Sequence, residues 1–123
     1  MSGRVHFLGP RTDADLASVY RGAAVMLFVS LHEGFGLPVV EAMACGVPVV
    51  TSNVCALPEV AGNAARTVDP LSVDAIAAAL WTSLADNTVS TAMVREGLSV
   101  VGRYSWERTG CEVRRVIESC LRE

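Results

Sequence analysis

Hydrophobic residues in this chain follow two different periods, and each period predicts its own kind of element. Short apolar runs predict strands, whereas apolar residues three or four positions apart predict helices. The run at 24–29 is uniformly apolar, as expected for a parallel strand that is covered on both faces. The predicted strands are 5–8, 24–29, 47–51 and 65–68.

Helical spacing fills the segments between these strands. Apolar residues at 16, 19 and 20 form one stripe, which predicts a helix that Asp13 or Asp15 caps and that Gly22 ends. A second helix is predicted from Leu37 to Cys45, because proline stands in its first turn and glycine follows its end. A short helical turn is expected at 59–62.

The chain from Val73 onward is expected to be helical to its end. Breaks are predicted near Asp86-Asn87 and at Tyr104-Ser105, where the serine can cap the last helix. Trp81 and Trp106 lie on apolar helical faces, which predicts core or domain-packing aromatics. Strands that alternate with helices predict an α/β fold with a parallel sheet and helices on both faces.

The composition supports one folded domain and excludes several functional classes. The chain has 123 residues, of which 51% are hydrophobic and 19% charged, so it requires a buried core and is not disordered. A net charge of −3 gives no basic surface for DNA or RNA, so no nucleic-acid partner is expected. The sequence contains no lysine, so a lysine clamp for phosphate or a Schiff base cannot come from this chain.

Cysteine and histidine show no metal-site pattern. The four cysteines have no C-x-x-C spacing, and the two histidines are isolated, so we expect free thiols in a reducing cytoplasm and no bound metal. No signal peptide opens the sequence and no apolar run reaches about 18 residues. The sequence therefore predicts a soluble cytoplasmic protein.

The most informative stretch follows the predicted strand 24–29. Ligands bind outside the carboxyl ends of parallel strands, and residues 30–38 lie at that edge. Gly34 and Gly36 allow a sharp turn and close approach of the backbone, and the helix start beyond them offers free N–H groups. Glu33 and Glu41 bracket the turn, and either carboxylate could accept hydrogen bonds from a vicinal diol. Each glutamate alone fits a structural role, but their combination with the glycine turn favours a ligand site.

The segment from Glu33 to Glu41, E-G-F-G-L-P-V-V-E, resembles the E-x7-E signature of retaining glycosyltransferases of family 4, also called group 1. The resemblance extends over nearly the whole chain, in the order that the family has. It is carried further by Val5–Gly9, Asp15-Leu16, Tyr20–Ala23, Glu41–Val50, Leu57–Gly62, Val68–Pro70 and Tyr104–Arg108.

This resemblance implies a two-domain GT-B enzyme, a hexosyltransferase whose second, Rossmann-like domain holds a nucleotide-sugar. It implies that Glu33 faces the donor sugar as the catalytic residue and that Glu41 holds the ribose hydroxyls. Backbone N–H groups that would meet the sugar and the diphosphate are those of Gly34, Phe35, Gly36 and Leu37. The segment that would border the nucleobase is Gly9, Pro10 and Arg11. The family needs neither metal nor cofactor, and retention would arise by front-face transfer or through a nucleophile that the sequence does not assign.

The chain also departs from the family pattern. It lacks the first two strand–helix units of the donor domain, the glycine-arginine turn and lysine that clamp the diphosphate, and the N-terminal acceptor domain. We therefore interpret residues 1–123 as a partial donor domain without useful activity alone, in which Met1–Gly3 could be an added start. In the full-length enzyme, peripheral membrane association is compatible with this reading.

Alternative readings remain open. The chain could be a non-catalytic fold module or gene fragment with a vestigial site. A fragment of a GT-B epimerase or phosphorylase fits the motif less well. Missing strands would leave sheet edges unpaired. We expect either a rearranged sheet, with strand 5–8 beside strand 24–29, or a homodimer through the exposed edges.

Overall fold

The computed structural model describes residues 4–121, and a parallel sheet of three strands lies at its centre. The strands are β1 (Met26–Phe28), β2 (Val49–Ser52) and β3 (Ala65–Val68), in the order β1-β2-β3. In the parallel register, Leu27 pairs with Val50 and Val50 pairs with Arg66. All four residues of β2 are buried, as expected for a central strand.

Within residues 4–121, six α-helices and one 3-10 turn surround the sheet. They are α1 (Asp13–Gly22), α2 (Leu37–Ala44), α3 (Leu57–Ala61), the 3-10 turn Gly62–Ala64, α4 (Val73–Ala85), α5 (Asn87–Val101) and α6 (Trp106–Cys120). The break at Asp86 and the cap at Ser105 are confirmed, since each side chain accepts hydrogen bonds from backbone N–H groups of the helix that follows.

Alternate residues of β2 belong to two cores on opposite faces of the sheet. Val49 joins the larger core, where α2, α3 and α5 contribute Met43, Leu57 and Val100. Val50 joins the smaller core, which contains residues of α4. Successive strand residues point to opposite faces, so this division follows directly from the pleat. The predicted α/β fold with helices on both faces is thus confirmed.

The cap of α1 differs from the prediction. Thr12 is the N-cap residue, and its hydroxyl oxygen accepts from the Asp15 N–H at 3.3 Å. Asp13 and Asp15 lie inside the first turn, where their charges complement the helix dipole. Threonine and aspartate both suit an N-cap, so residue type alone did not locate the first turn.

The predicted strand at 5–8 is wrong. The segment forms no regular element, and its apolar side chains are exposed, with Phe7 at 97% and Val5 at 60%. A strand needs a neighbour for its N–H and C=O groups, and within residues 4–121 no strand pairs with this segment. The rearranged sheet, with 5–8 beside β1, is therefore also wrong. The homodimer stays a prediction.

The tryptophans are not core residues. Trp81 is 74% exposed and Trp106 is 79% exposed. Their positions on apolar faces predicted core or domain-packing aromatics; the core role is wrong, and the domain-packing role stays a prediction. Trp106 belongs to α6, which buries none of its residues against the rest of residues 4–121. The same helix carries ion pairs, such as Arg114 Nε with Glu118 Oε1 at 2.7 Å. Residues 1–3, 122 and 123, including the expected added start Met1–Gly3, lie outside the described range.

Candidate functional site

The loop between β1 and α2 is fixed by two buried hydroxyl groups of β2. Thr51 Oγ1 donates to the carbonyl oxygen of Phe28 at 2.8 Å, and Ser52 Oγ donates to that of Ser30 at 2.6 Å. Both side chains are fully buried, so these bonds satisfy groups that would otherwise be costly to bury. The sequence reasoning missed both residues, although two hydroxyl residues at the carboxyl end of an apolar strand are a usable signal.

Gly36 sets the start of α2. It is the N-cap residue, with φ +96° and ψ 49° in the left-handed region. A Cβ atom at this position would collide with Leu57 Cδ2. Both the backbone conformation and the packing therefore require glycine. Gly34 is different, since an added Cβ would meet nothing within 4 Å and its φ is not in the left-handed region.

The first turn of α2 presents an uncapped helix end. Gly36 offers no side-chain cap, and no acidic residue stands in the first turn. The positive end of the helix dipole therefore lies at the carboxyl edge of the sheet without a charge from that turn to complement it. The residues at this end, Phe35 and Leu37, are 39% and 49% exposed, so the loop is open to solvent.

The two glutamates have different surroundings. Glu33 is half-buried in the loop, and no hydrogen bond to its carboxylate occurs within residues 4–121. Glu41 is exposed on α2 and accepts a hydrogen bond at Oε2 from the Tyr20 hydroxyl, at 3.2 Å. Tyr20 lies on α1 and packs against the larger core. Glu41 is thus oriented by a neighbouring helix, whereas Glu33 is free to meet a ligand.

Tyr20 is a site residue that sequence reasoning did not single out. Burial, followed by the charge of Glu41, raises the pKa of Tyr20 to about 12. The residue entered the sequence argument as part of an apolar stripe and as the start of the segment Tyr20–Ala23, without a role for its hydroxyl. Its hydroxyl was the feature that could have indicated a polar contact. The partner of this hydroxyl lies 21 positions away in the sequence, so the contact depends on how α1 packs against α2.

An aromatic contact also holds the loop between β1 and α2. The rings of Phe35 and Tyr104 meet edge to face, with centroids 5.4 Å apart and an interplanar angle of 87°. The Tyr104 hydroxyl donates to the carbonyl oxygen of Val60 at 3.3 Å. The loop is therefore tied to α3 and to the turn between α5 and α6.

The segment Gly9–Arg11 lies apart from these contacts. All three residues are exposed, and Gly9 has φ +65°. The segment leads into the cap of α1, and no hydrogen bond between the described residues joins it to the loop that carries Glu33. The structure thus brings Glu33 to Glu41 together around one helix end but does not show Gly9, Pro10 and Arg11 in contact with them.

Two concave spaces of the structure lie away from the loop between β1 and α2. One concave space of about 360 Å³ lies between α4 and α5, and another of about 470 Å³ lies between β3 and α4. Neither of these two spaces is lined by a residue of 30–41. Among the described residues, no group of three or more His, Cys, Asp or Glu could hold a metal ion.

Comparison with known proteins assigns the family. A family model for glycosyl transferases group 1 matches residues 1–99. The chain belongs to this family. In this group 1 chain, the segment from Glu33 to Glu41 leads from the loop after β1 into α2 of the α/β fold. Within residues 4–121, none of its helices is long and apolar enough to cross a membrane.

Individual relatives agree with this assignment. The chain is 46% identical over 105 residues to the O-antigen chain mannosyltransferase B of Escherichia coli, covering 85% of this chain and 28% of that protein. It is 37% identical over 122 residues to the phosphatidyl-myo-inositol mannosyltransferase of Mycolicibacterium smegmatis, covering 97% of this chain and 32% of that protein.

A solved structure confirms the fold. Sucrose-phosphate synthase from Thermosynechococcus elongatus superposes with a TM-score of 0.87 at 30% identity, over 96% of this chain and 30% of that chain. The fold is therefore part of a GT-B Rossmann-like domain. The group 1 chain spans about 30% of the solved chain and a similar share of the two mannosyltransferases.

Replacing Gly36 by alanine should destabilise the fold by about 1–3 kcal/mol, because a side chain would be held in the left-handed region and would meet Leu57. Gly34→Ala is the matched control, and its effect should stay within about 0.5 kcal/mol. Urea denaturation of both variants measures the difference. Equal midpoints for the two variants would contradict the steric argument.

The Tyr20 hydroxyl should ionise near pH 12. The raised pKa means that the folded state favours the neutral phenol. Its stabilisation is therefore fully present below pH 10 and is lost as the pH rises through about 12. A pH titration followed by phenolate absorbance should show an ionisation near pH 12. This ionisation should be absent in Tyr20→Phe. Glu41→Gln should lower the pKa of Tyr20 but leave it above its ordinary value, since burial is the larger cause. A Tyr20 that titrates at 10.0 would contradict the contact with Glu41.

Proposed function

We propose that this chain is the donor-binding part of a retaining family 4 glycosyltransferase, which moves a sugar from a nucleotide-sugar to an acceptor with retention of configuration. The observation that carries the proposal is the arrangement at the carboxyl edge of the sheet. There, Glu33 and Glu41 flank the uncapped start of α2. Membership of the group 1 family supports sugar transfer in general, and the proposal adds the roles of these residues.

Glu41 is proposed to bind the ribose hydroxyls of the nucleotide. Its Oε2 accepts a hydrogen bond from the Tyr20 hydroxyl, which orients the carboxylate, and Oε1 has no hydrogen-bond partner among residues 4–121. A fixed carboxylate accepts from two neighbouring hydroxyls without first losing side-chain entropy. This orientation distinguishes Glu41 from a glutamate that only complements a helix dipole.

The start of α2 is proposed to receive the diphosphate and the sugar. Backbone N–H groups of Gly34, Phe35, Gly36 and Leu37 would donate to ligand oxygens, and the helix dipole would favour their negative charge. Glu33 would face the donor sugar as the catalytic residue, because it precedes the turn and has no hydrogen-bond partner among the described residues. These groups supply charge stabilisation without a metal or cofactor.

Base recognition is proposed for Gly9, Pro10 and Arg11. They are exposed and lead into α1, the helix whose Tyr20 orients Glu41. A nucleotide whose ribose meets Glu41 would extend toward α1. Two of the relatives are named as mannosyltransferases, so a donor that carries mannose is the first candidate for the sugar.

A non-catalytic module with a vestigial site is the second candidate. It is favoured by the openness of the site and by the lack of any lysine that could clamp a diphosphate. In this reading the E-x7-E segment is inherited and binds no donor. Direct binding measurements separate the two candidates.

Glu41→Ala should weaken binding of a ribonucleoside diphosphate by about 1.5–3 kcal/mol, because a charged acceptor for two hydroxyls is lost. This corresponds to roughly tenfold or more in Kd. Binding of the 2′,3′-dideoxy analogue should not change. Tyr20→Phe should lose a smaller part of the preference for ribose. Isothermal titration with GDP and UDP and their dideoxy forms measures these differences.

Glu59→Ala serves as the matched control for that titration, since Glu59 is an exposed glutamate in the first turn of α3. An equal loss of affinity for ribose and dideoxy forms would contradict the role of Glu41. No binding of any nucleotide at millimolar concentration would favour the vestigial site.

Residues 1–123 alone should show no multiple-turnover transfer. The acceptor side and the diphosphate clamp are proposed to lie outside this chain, and loss of comparable electrostatic groups removes several kcal/mol of transition-state stabilisation. Incubation with GDP-mannose or other nucleotide-sugars and with sugar or lipid acceptors, followed by product analysis, measures this. Repeated turnover by the isolated chain would contradict the expectation.

A further inference from the structure

The loops that follow β1 and β2 meet at a thiol and an imidazole. Cys55 Sγ lies 3.4 Å from His32 Nδ1 and 3.9 Å from the carbonyl oxygen of Leu31. We propose that Cys55 and His32 form a reactive thiol site, whose substrate class is hydroperoxides. Neither residue has a role in the donor site as described above.

The backbone holds the thiol at this place. Cys55 has φ +54°, and it is the only non-glycine residue with positive φ among residues 4–121. Such a conformation is unfavourable for a side-chain-bearing residue and persists where the surroundings determine it. The bond from Ser52 Oγ to the carbonyl oxygen of Ser30 joins the same two loops. The pair is thus set between two fixed segments, and Cys55 is exposed to small molecules.

The chemistry requires only these two side chains and the oxidant. When the hydrogen of the neutral imidazole is on Nε2, Nδ1 can accept the thiol proton. The thiolate is the nucleophilic form of cysteine, and an adjacent base is a common means of activating it. The sulfur then attacks one oxygen of hydrogen peroxide, an S–O bond forms and the O–O bond breaks. Hydroxide leaves, and it takes the proton from the His32 imidazolium to give water. The sulfur is thereby oxidised to a sulfenic acid, and the peroxide is reduced.

Two of the three remaining cysteines provide a comparison within the same molecule. Cys111 and Cys120 lie on α6 and are exposed, as Cys55 is. No hydrogen bond between the described residues joins either of them to a histidine. Exposure alone would make the three thiols react at similar rates, whereas assistance by an imidazole would favour Cys55.

Oxidation at Cys55 would also act on the loop that carries Glu33. A sulfenic acid adds an oxygen atom to a sulfur that already lies 3.4 Å from His32, the residue directly before Glu33. The added atom and the loss of the S–H donor would displace His32 or the neighbouring backbone. We therefore expect oxidation to loosen residues 29–36, whether or not these bind a donor.

Competitive labelling tests the reactivity. The full chain is treated with limiting iodoacetamide, or with hydrogen peroxide and the sulfenic acid trap dimedone, and each cysteine is quantified by peptide mass spectrometry. Cys55 should be modified roughly tenfold faster than Cys111 and Cys120. This factor is a modest part of the rate enhancement that a positioned base contributes. His32→Gln should remove this excess, and His6→Gln is the matched control that should retain it.

Unchanged, slow labelling of Cys45, which is packed against the larger core, in His32→Gln shows that the variant is folded. Similar rates for the three thiols in the unmodified protein would overturn the proposal, as would an excess at Cys55 that survives His32→Gln. Hydrogen exchange measures the effect on the loop. Peroxide should speed amide exchange at residues 29–36 in the unmodified protein but not in Cys55→Ser, and equal exchange in both would overturn the link to the loop.

Discussion

Two fully buried hydroxyls at the end of the central strand determine where the candidate site lies. Thr51 and Ser52 belong to the most buried strand of the sheet, and each must find an acceptor inside the protein. Both find one in the backbone that follows β1, at Phe28 and Ser30. A buried donor without a partner would cost about 1–3 kcal/mol. The same bonds that satisfy the core therefore fix the start of the loop that carries Glu33.

The rest of the loop is fixed by contacts with helices that follow later in the chain. Gly36 adopts a left-handed conformation directly against Leu57 of α3, and Phe35 meets Tyr104 at the turn before α6. The start of α2 is thus held by the strand below it and by two elements beside it. Because these contacts hold the backbone in place, the loop can keep its N–H groups unpaired and exposed. Binding of an anion at a helix end requires such groups.

The sequence predicted the elements whose pattern is local. The uninterrupted run at 24–29 contains β1, and the strand at 65–68 and the breaks at Asp86 and Ser105 were predicted correctly. The location of Glu33 and Glu41 at the carboxyl edge of the sheet also followed from the order of strand, glycine turn and helix. The strand at 5–8 was wrong because an apolar run becomes a strand only beside a neighbour. No local pattern reports whether that neighbour exists.

The contacts that shape the site could not be predicted for a related reason. Tyr20 looked like a core residue of α1, and its hydroxyl finds Glu41 only because α1 packs on α2. Tyr104 was identified as a helix break, yet its ring supports Phe35. Each pair joins segments far apart in the sequence, so its existence depends on the completed fold. Residue type limits what such a side chain can do, while packing decides which partner it meets.

The openness of the site follows from the same packing. The contacts described above come from β2, α3 and the turn before α6, and the residues at the start of α2 remain partly exposed. Electrostatic interactions with a bound anion are weak where water has free access and stronger where a second surface excludes it. Under the proposed function, the loop could therefore orient a ligand, through Glu41 and the uncapped end of α2, more readily than it could stabilise developing charge.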